Sequence, residues 1–373
     1  MLFLTNTLRS MGTMSFNLLI QLRMKEIGAT LFLIGLLSSL RGAVGTFSNL
    51  FWGRISDKTG RRKPFLISSL VLASAFYPLY AVINSPLSIL IISMVIAFFN
   101  GMYPPAAMAL SSTKKRMALG FSLYNSSNSL GMLLSRLSIG FLLIFIDLKM
   151  AFVFFSIVIA VAVIPILMLK EKKLEKKREE KHFKRLVLEN GTWAVYVGSL
   201  LRQMGTSGSM SLIAVYLNDT FHFDASTIGF ITSVNPLIQI PSHFLFGRLS
   251  EKIDPKIVSA LGIFLSALTP FLMMVPERWA PVLAYATLGT SFGAFINGTN
   301  NFLGRRFHYL QRGQALGLLS SARFFGATVG PLLAGILAEK SYDLMFSVLG
   351  SVILLGGLVV LFFTRSGERS PAS

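Results

Sequence analysis

Apolar stretches of about 20 residues, separated by short polar or charged breaks, recur from one end of this 373-residue chain to the other. A helix needs about 20 mostly apolar residues to cross a hydrocarbon core of about 30 Å. By that ruler the chain holds twelve such stretches: 1–23, 28–52, 64–84, 86–110, 118–144, 150–169, 190–217, 225–247, 256–275, 279–303, 313–337 and 341–363. Lipid offers the backbone no hydrogen-bond partner, so each stretch must satisfy its own amides and is helical. Composition agrees, with 53% hydrophobic residues, 14% charged, no cysteine and a mean hydropathy of +0.64. A soluble domain carries about 25% charged residues. A water-soluble enzyme, a disordered chain and a disulfide scaffold are therefore excluded. The first stretch is no cleavable signal, because Arg9 interrupts it and further spans follow directly. It begins at Met1 without a hydrophilic leader, which leaves room for a longer natural chain.

The basic residues set an orientation. With both termini in the cytoplasm, the inner loops and the tail hold 25 of the 35 lysines and arginines, and the outer loops hold five. The outer five are Arg23, Lys25, Lys149, Arg278 and Lys340. That asymmetry satisfies the positive-inside rule, so the net charge of +19 reads as topology and attraction to anionic lipid. It does not read as nucleic-acid binding. The expected location is the plasma membrane, multi-pass, with both ends cytoplasmic.

One long polar segment, 170–189, separates the sixth stretch from the seventh and suits a solvated, charged cytoplasmic linker. The sequence repeats on either side of it. Leu8-Arg9-Ser10-Met11-Gly12-Thr13 matches Leu201-Arg202-Gln203-Met204-Gly205-Thr206, and the run from Gly53 to Lys58 matches that from Gly247 to Lys252. Asn100-Gly101 matches Asn297-Gly298, and Ala118-Leu119-Gly120 matches Ala315-Leu316-Gly317. Matches in this order at nearly constant spacing indicate duplicated halves. The expected domains are a six-helix bundle over 1–169, the linker 170–189, a second six-helix bundle over 190–365 and a cytoplasmic tail over 366–373. Parallel repeats of this kind are a transporter architecture with a site near the bilayer midplane.

Gly53-Arg54-Ile55-Ser56-Asp57-Lys58-Thr59-Gly60-Arg61-Arg62-Lys63 resembles the loop signature of the major facilitator superfamily, G-x-x-x-D-[RK]-x-G-[RK]-[RK], at every position. A weaker copy at 247–256 carries Asp254-Pro255-Lys256 where the first has Gly-Arg-Arg. The resemblance covers essentially the whole chain. It implies an all-α membrane protein of twelve transmembrane helices in two pseudo-symmetric bundles, moving a small solute by alternating access. It also implies that Asp57 faces the start of the eleventh helix, near Gly313, when the cytoplasmic side is closed. Such a carboxylate gains up to about 2 kcal/mol from a positive helix end. Gating is accordingly expected of Gly53, Asp57, Gly60, Arg61, Gly247, Glu251, Gly330 and Pro331. Gly53 should admit a close neighbour, and Gly60 should supply a positive φ. The eleventh helix has Gly326, Gly330-Pro331 and Gly335, whereas the matching place in the fifth reads Gly131-Met132-Leu133-Leu134-Ser135-Arg136. Exporters of the antiporter type carry Gly-Pro in the fifth helix, so its absence weakens a proton/drug antiport reading.

All 16 acidic residues fall in loops, at span ends or in the tail, while Arg9, Arg41, Arg136, Arg202 and Arg323 lie within spans. A central arginine costs about 2.5–3.5 kcal/mol on insertion scales, so unpaired arginines point to a wet cavity that takes an anion. Arg9, Thr13, Asn17 and Gln21 recur every four residues and share one helix face. Arg202 and Thr206 repeat its start, and Asn235 and Gln239 are spaced alike. The pairing of Arg9 with Arg202 is similar to that of the superfamily's organophosphate/phosphate exchangers, where arginines on these two helices bind phosphate. Arginine suits that work because it stays charged and grips an oxyanion with two hydrogen bonds. The competing account of Arg9 and Arg202 is snorkelling to the inner interface.

The expected substrate-binding set is Arg9, Arg41, Arg202, Arg323, Asn17, Asn235 and Asn297, for a small organic or inorganic anion. The alternative is an exporter of hydrophobic or amphipathic compounds, with phenylalanine and methionine lining an adaptable pocket. A non-transporting sensor on the same fold is a third reading. No paired acids, metal-ligand cluster or nucleophile/base constellation occurs, so no enzyme, catalytic residue, metal or cofactor is expected. The partners expected are the solute and the lipid bilayer, not nucleic acid, for a functional monomer.

Overall fold

The computed structural model describes residues 1–111, 117–169, 191–307 and 309–364, with the backbone alone at 57, 111, 117–122, 309–311 and 313. The linker 170–189, the tail 366–373 and the side chain of Asp57 therefore lie outside the described residues. Within them there are sixteen α-helices and no strand.

The first nine are α1 (Leu2–Glu26), α2 (Leu31–Thr59), α3 (Lys63–Phe76), α4 (Leu79–Val82), α5 (Pro86–Asn100), α6 (Tyr103–Ser111), α7 (Met117–Leu142), α8 (Leu148–Val161) and α9 (Val163–Leu167). The other seven are α10 (Thr192–Ser211), α11 (Ile213–Phe221), α12 (Ala225–Lys252), α13 (Pro255–Met273), α14 (Ala280–Arg306), α15 (Tyr309–Ala338) and α16 (Tyr342–Phe363). They fall into twelve membrane-length stretches, four of which (α3/α4, α5/α6, α8/α9 and α10/α11) are broken helices rather than the continuous ones the sequence suggests. Pro78 sits at the first break, and Pro104 and Pro105 follow the second, where missing amide protons cannot continue the ladder.

Seven stretches are apolar enough to cross a membrane by length and composition alone. The five that fall short are α1, α7, α10/α11, α12 and α14, which carry most of the buried polar residues discussed below. Acidic residues begin several helices. Asp147 accepts from the Met150 amide at 2.8 Å, Asp224 from Thr227 at 3.0 Å and Asp254 from Lys256 at 2.9 Å. A carboxylate there satisfies an otherwise orphaned donor, typically worth about 1 kcal/mol.

The chain forms two compact units, 1–178 with 214–233, and 179–213 with 234–373. In the first, α1 packs against α7 and α8. Its core is aromatic, with Phe16 stacked on Tyr77 at 3.6 Å and beside Phe152 at 5.7 Å. In the second, α10 packs against α15 and α16, and α13 against α14. The duplication is visible in the packing. A Cβ on Gly12 would strike Ile159 of α8, and one on Gly205 would strike Ile353 of α16. Gly131 of α7 lies against the Thr7 carbonyl and Met11 amide of α1, its counterpart Gly326 of α15 lies against the Leu200 carbonyl and Met204 amide of α10, and Gly330, one turn further on, lies against the Met204 carbonyl. Small residues let these backbones approach in the absence of a hydrophobic drive between helices.

One register inferred from sequence needs correction. Ser48 donates to the Phe98 carbonyl and abuts Gly101, and Ser242 donates to the Thr290 carbonyl at 2.7 Å and abuts Gly293. Gly293, not Gly298, is thus the structural counterpart of Gly101. The repeated Asn-Gly pair misaligns the two helices by about a turn, because so short a match carries less information than the packing it competes with.

Candidate functional site

In each unit an arginine lies against a buried aromatic ring; Arg202 is itself buried, whereas Arg9, Arg41 and Arg323 are half-buried. In the first, the Arg9 guanidinium lies 4.2 Å from the ring centre of Tyr103, which is fully buried at the start of α6. Arg41 on α2 donates to Asn17 Oδ1 on α1 at 3.1 Å. At the end of α3 the Tyr77 hydroxyl accepts from Asn100 of α5 at 2.9 Å. Asn100 is thereby committed to an interhelical hydrogen bond.

The second cluster is tighter. Arg202 on α10 is only 2% exposed, and its Nε donates to Ser266 Oγ on α13 at 2.8 Å. Its guanidinium carbon lies 4.2 Å from the ring centre of Phe295 and 5.8 Å from that of Phe292, both on α14. Arg323 on α15 approaches the same Phe295 ring at 4.9 Å and donates to Thr299 Oγ1 at 3.2 Å. Phe295 and Thr299 are four residues apart, so one face of α14 serves both arginines.

Among the described residues no carboxylate pairs with any of these four arginines. Salt bridges among the described residues join Arg23 to Glu26 and Lys25 to Asp219. A cation–π contact contributes about 0.5–2 kcal/mol and a hydrogen bond to a charged group about 1.5–3 kcal/mol. Desolvating a buried ion costs several kcal/mol. The contacts of Arg202 therefore offset its burial only in part, and an oxyanion between the two guanidiniums would supply what is missing.

The other expected residues sit as follows. Asn17 holds Arg41 and also donates to Met14 Sδ at 3.8 Å. Asn235 on α12 is buried with its Oδ1 unpartnered. Asn297 directs its amide nitrogen to the carbonyls of Gly293 and His243, at 2.8 and 3.2 Å, and to His243 Nδ1 at 3.3 Å. It ties α14 to α12. Of the gating set, Gly60 has φ 68° and caps α2 by donating to the Ser56 carbonyl at 3.1 Å, as its position in the turn demands. Arg61 and Glu251 are exposed. Gly330 makes the close approach described above, and Pro331 lies within α15. The close packing expected of Gly53 is not found, since an added Cβ would rest 3.5 Å from Pro105 in ordinary contact. Gly247 is equally roomy, at 3.7 Å from Asn297.

Sequence reasoning missed Tyr103, Ser266, Phe295 and Thr299. Nothing sets Phe295 apart among 32 phenylalanines. Its role emerges only from two helices distant in sequence converging on it.

The Major Facilitator Superfamily model matches residues 2–198 and 195–373. A similar curated protein is the multidrug resistance protein MdtG of Salmonella typhimurium, 25% identical over 347 residues, covering 87% of this chain and 83% of MdtG. Among solved structures, a bacterial homolog of the human lysosomal transporter Spinster, in an inward-facing and occupied conformation, superposes with a TM-score of 0.83 at 13% identity, over 100% of this chain and 97% of that one. The nucleoside transporter NupG gives a TM-score of 0.79 at 13% identity, over 96% and 97% of the two chains. The chain belongs to the Major Facilitator Superfamily of membrane transporters.

Proposed function

We propose that this chain is a secondary transporter that exports small organic compounds carrying an anionic group, by alternating access between two six-helix bundles, 1–169 and 190–365, in the plasma membrane. The observation that carries the anion is Arg202, buried beside Arg323 on one phenylalanine ring with no carboxylate partner. Family membership supports transport, and the excess of basic residues in alternate loops supports cytoplasmic termini. The direction rests on the relatives named multidrug resistance proteins, because a carrier confers resistance by moving a drug outward. Phe292 and Phe295 beside the guanidiniums suit an amphipathic solute with a charged head and an apolar body. Arg9, Arg41 and Asn17 form the corresponding polar surface of the first unit. Asp57, in the last turn of α2, biases the two conformations from the cytoplasmic side.

The test is dye accumulation in intact cells expressing the wild type, Arg202→Gln or Arg323→Gln at matched membrane levels. Wild-type cells should accumulate less of an anionic amphipathic dye than cells without the transporter, and both variants should lose that difference. Export of neutral or cationic dyes that survives both substitutions would overturn the anion assignment.

A further inference from the structure

The first half of α7 carries an uninterrupted polar run, Tyr124-Asn125-Ser126-Ser127-Asn128-Ser129, in a helix of membrane-spanning length. Asn128 lies close to the midpoint of that 26-residue helix. Leu123, Leu134 and Phe141 are exposed and recur on one side of α7, as lipid demands. Asn125, Asn128 and Ser129, at i, i+3 and i+4, share a different face, the first exposed and the other two half-buried. Amides and hydroxyls that keep surface at this depth face water in a cavity, not lipid tails.

Hydrogen bonds to α1 fix which end of the Asn128 amide meets that water. Asn6 is buried on α1, and its Nδ2 donates to the Tyr124 carbonyl at 3.1 Å and to Ser127 Oγ. A carbonyl can only accept, so this atom of Asn6 is the nitrogen. The Asn128 atom 3.1 Å from it is then the oxygen, and Ser10 Oγ donates to the same atom at 2.6 Å. A flipped amide would set nitrogen against nitrogen. Asn128 Nδ2 is therefore turned away from α1, and it has no partner among the described residues. Arg9 is the neighbour of Ser10 on α1. Its Nε is buried without a partner, its guanidinium lies 4.2 Å from the Tyr103 ring centre, and Tyr124 shares the electrostatic surroundings of the Tyr103 hydroxyl. One seam thus offers a cation, Arg9, and a neutral donor, Asn128.

We propose that Asn128 contacts the solute and selects for it: its Nδ2, aimed by Asn6 and Ser10, donates to an uncharged acceptor oxygen, of the ketone, amide or ester class, on the transported compound. The inference rests on the reading of the chain as a carrier of small organic compounds, but not on the charge those compounds bear. A compound with a methylene at that place forfeits the bond, and the site discriminates against it.

Two isosteric pairs of probes read the preference: para-pentanoylbenzoate against para-pentylbenzoate, and the same two tails on phenyltrimethylammonium. Within each pair a carbonyl replaces a methylene. Saturable binding to the purified full chain in lipid nanodiscs is measured by equilibrium dialysis against empty nanodiscs. Asn128→Asp keeps an oxygen for Asn6 and Ser10 but lacks the donor, whereas Asn128→Leu lacks both. The ketone-to-hydrocarbon affinity ratio should be about fivefold higher in the wild type than in either variant, the worth of one net hydrogen bond. Comparison within a pair cancels the charge that aspartate adds and any stability that leucine costs. A merely structural tie would weaken ketone and hydrocarbon alike and leave the ratio unmoved. Equal ratios in the wild type and Asn128→Asp, or no saturable binding of either pair, would overturn the proposal. A ratio that shifts for the trimethylammonium pair alone would uphold Asn128 and count against the anion assignment. An unmoved ratio would leave the dye-export result as it stands, so the two readings fail separately.

Discussion

Arg202 and Arg323, from helices that are far apart in sequence, rest on one aromatic ring: their guanidinium carbons lie 4.2 and 4.9 Å from the centre of Phe295. Two like charges held this close repel each other, and among the described residues neither has a carboxylate to offset it. The arrangement is stable in the fold only as part of a larger balance, which separates what these residues do for folding from what they do for a ligand.

Removing one of the charges should therefore cost little stability. Arg202→Met keeps the apolar stem, removes the desolvation cost and relieves repulsion on Arg323, while leaving Ser266 with its bond to the Gly262 carbonyl at 2.8 Å. The expected result is a Tm equal to or above that of the wild type. Binding of organic anions should fall at least about tenfold, equivalent to about 1.4 kcal/mol. Scanning calorimetry and equilibrium dialysis of the purified protein measure the two effects separately.

Phe295 should matter to both arginines at once. Phe295→Leu retains much of the buried apolar volume but removes the π-face, a loss of about 0.5–2 kcal/mol for each cation. Anion affinity should fall by severalfold, with less effect from adding either arginine substitution than from that substitution alone. A double-mutant cycle of Phe295→Leu with Arg323→Gln reads this coupling.

How far the sequence predicts this protein depends on the range of the interactions involved. Helix positions follow from apolar length, and the duplication from local matches such as those around Arg9 and Arg202. Gly60 was legible because a tight basic turn after a long helix requires a left-handed residue there. The role given to Gly53 was not, because a glycine's neighbour is set by another helix, and Pro105 leaves space for a methyl group. Phe295 and Ser266 were invisible for the same reason. The arginines could be named as candidates since charge inside lipid is anomalous anywhere, whereas their partners are ordinary residues made special by convergence.

The contrast between glycines gives a direct check. Gly330→Ala would drive a methyl group into the Met204 carbonyl, a packed backbone group that cannot yield cheaply, and toward Ser207 Oγ at 2.9 Å. Overpacking of this kind costs about 1–3 kcal/mol, so Tm should drop by several degrees. Gly53→Ala meets only Pro105 at 3.5 Å and should leave Tm within error of the wild type or slightly raise it. Thermal unfolding of the two variants in one detergent decides the matter.

The second copy of the loop signature lacks Gly-Arg-Arg, and the structure supplies a substitute from another helix. In the first copy the end of α2 is held locally, by Gly60 and by Arg62 donating to Ser56 Oγ. In the second, Arg305 of α14 donates to the carbonyls of Ser250 and Glu251, at 2.8 and 3.1 Å, and Asn301 donates to Ser250 Oγ. A cation at the C-terminus of α12 is favourable both as a hydrogen-bond donor and against the helix dipole, together worth about 1 kcal/mol at a partly exposed site. Arg305→Ala should therefore loosen the end of α12 and the turn that follows, 250–254, without unfolding the bundle. Amide hydrogen exchange across 247–256 should accelerate by about fivefold, with the segment 53–63 unchanged. Equal acceleration in both segments would mean that Arg305 acts on global stability instead of on the loop it contacts.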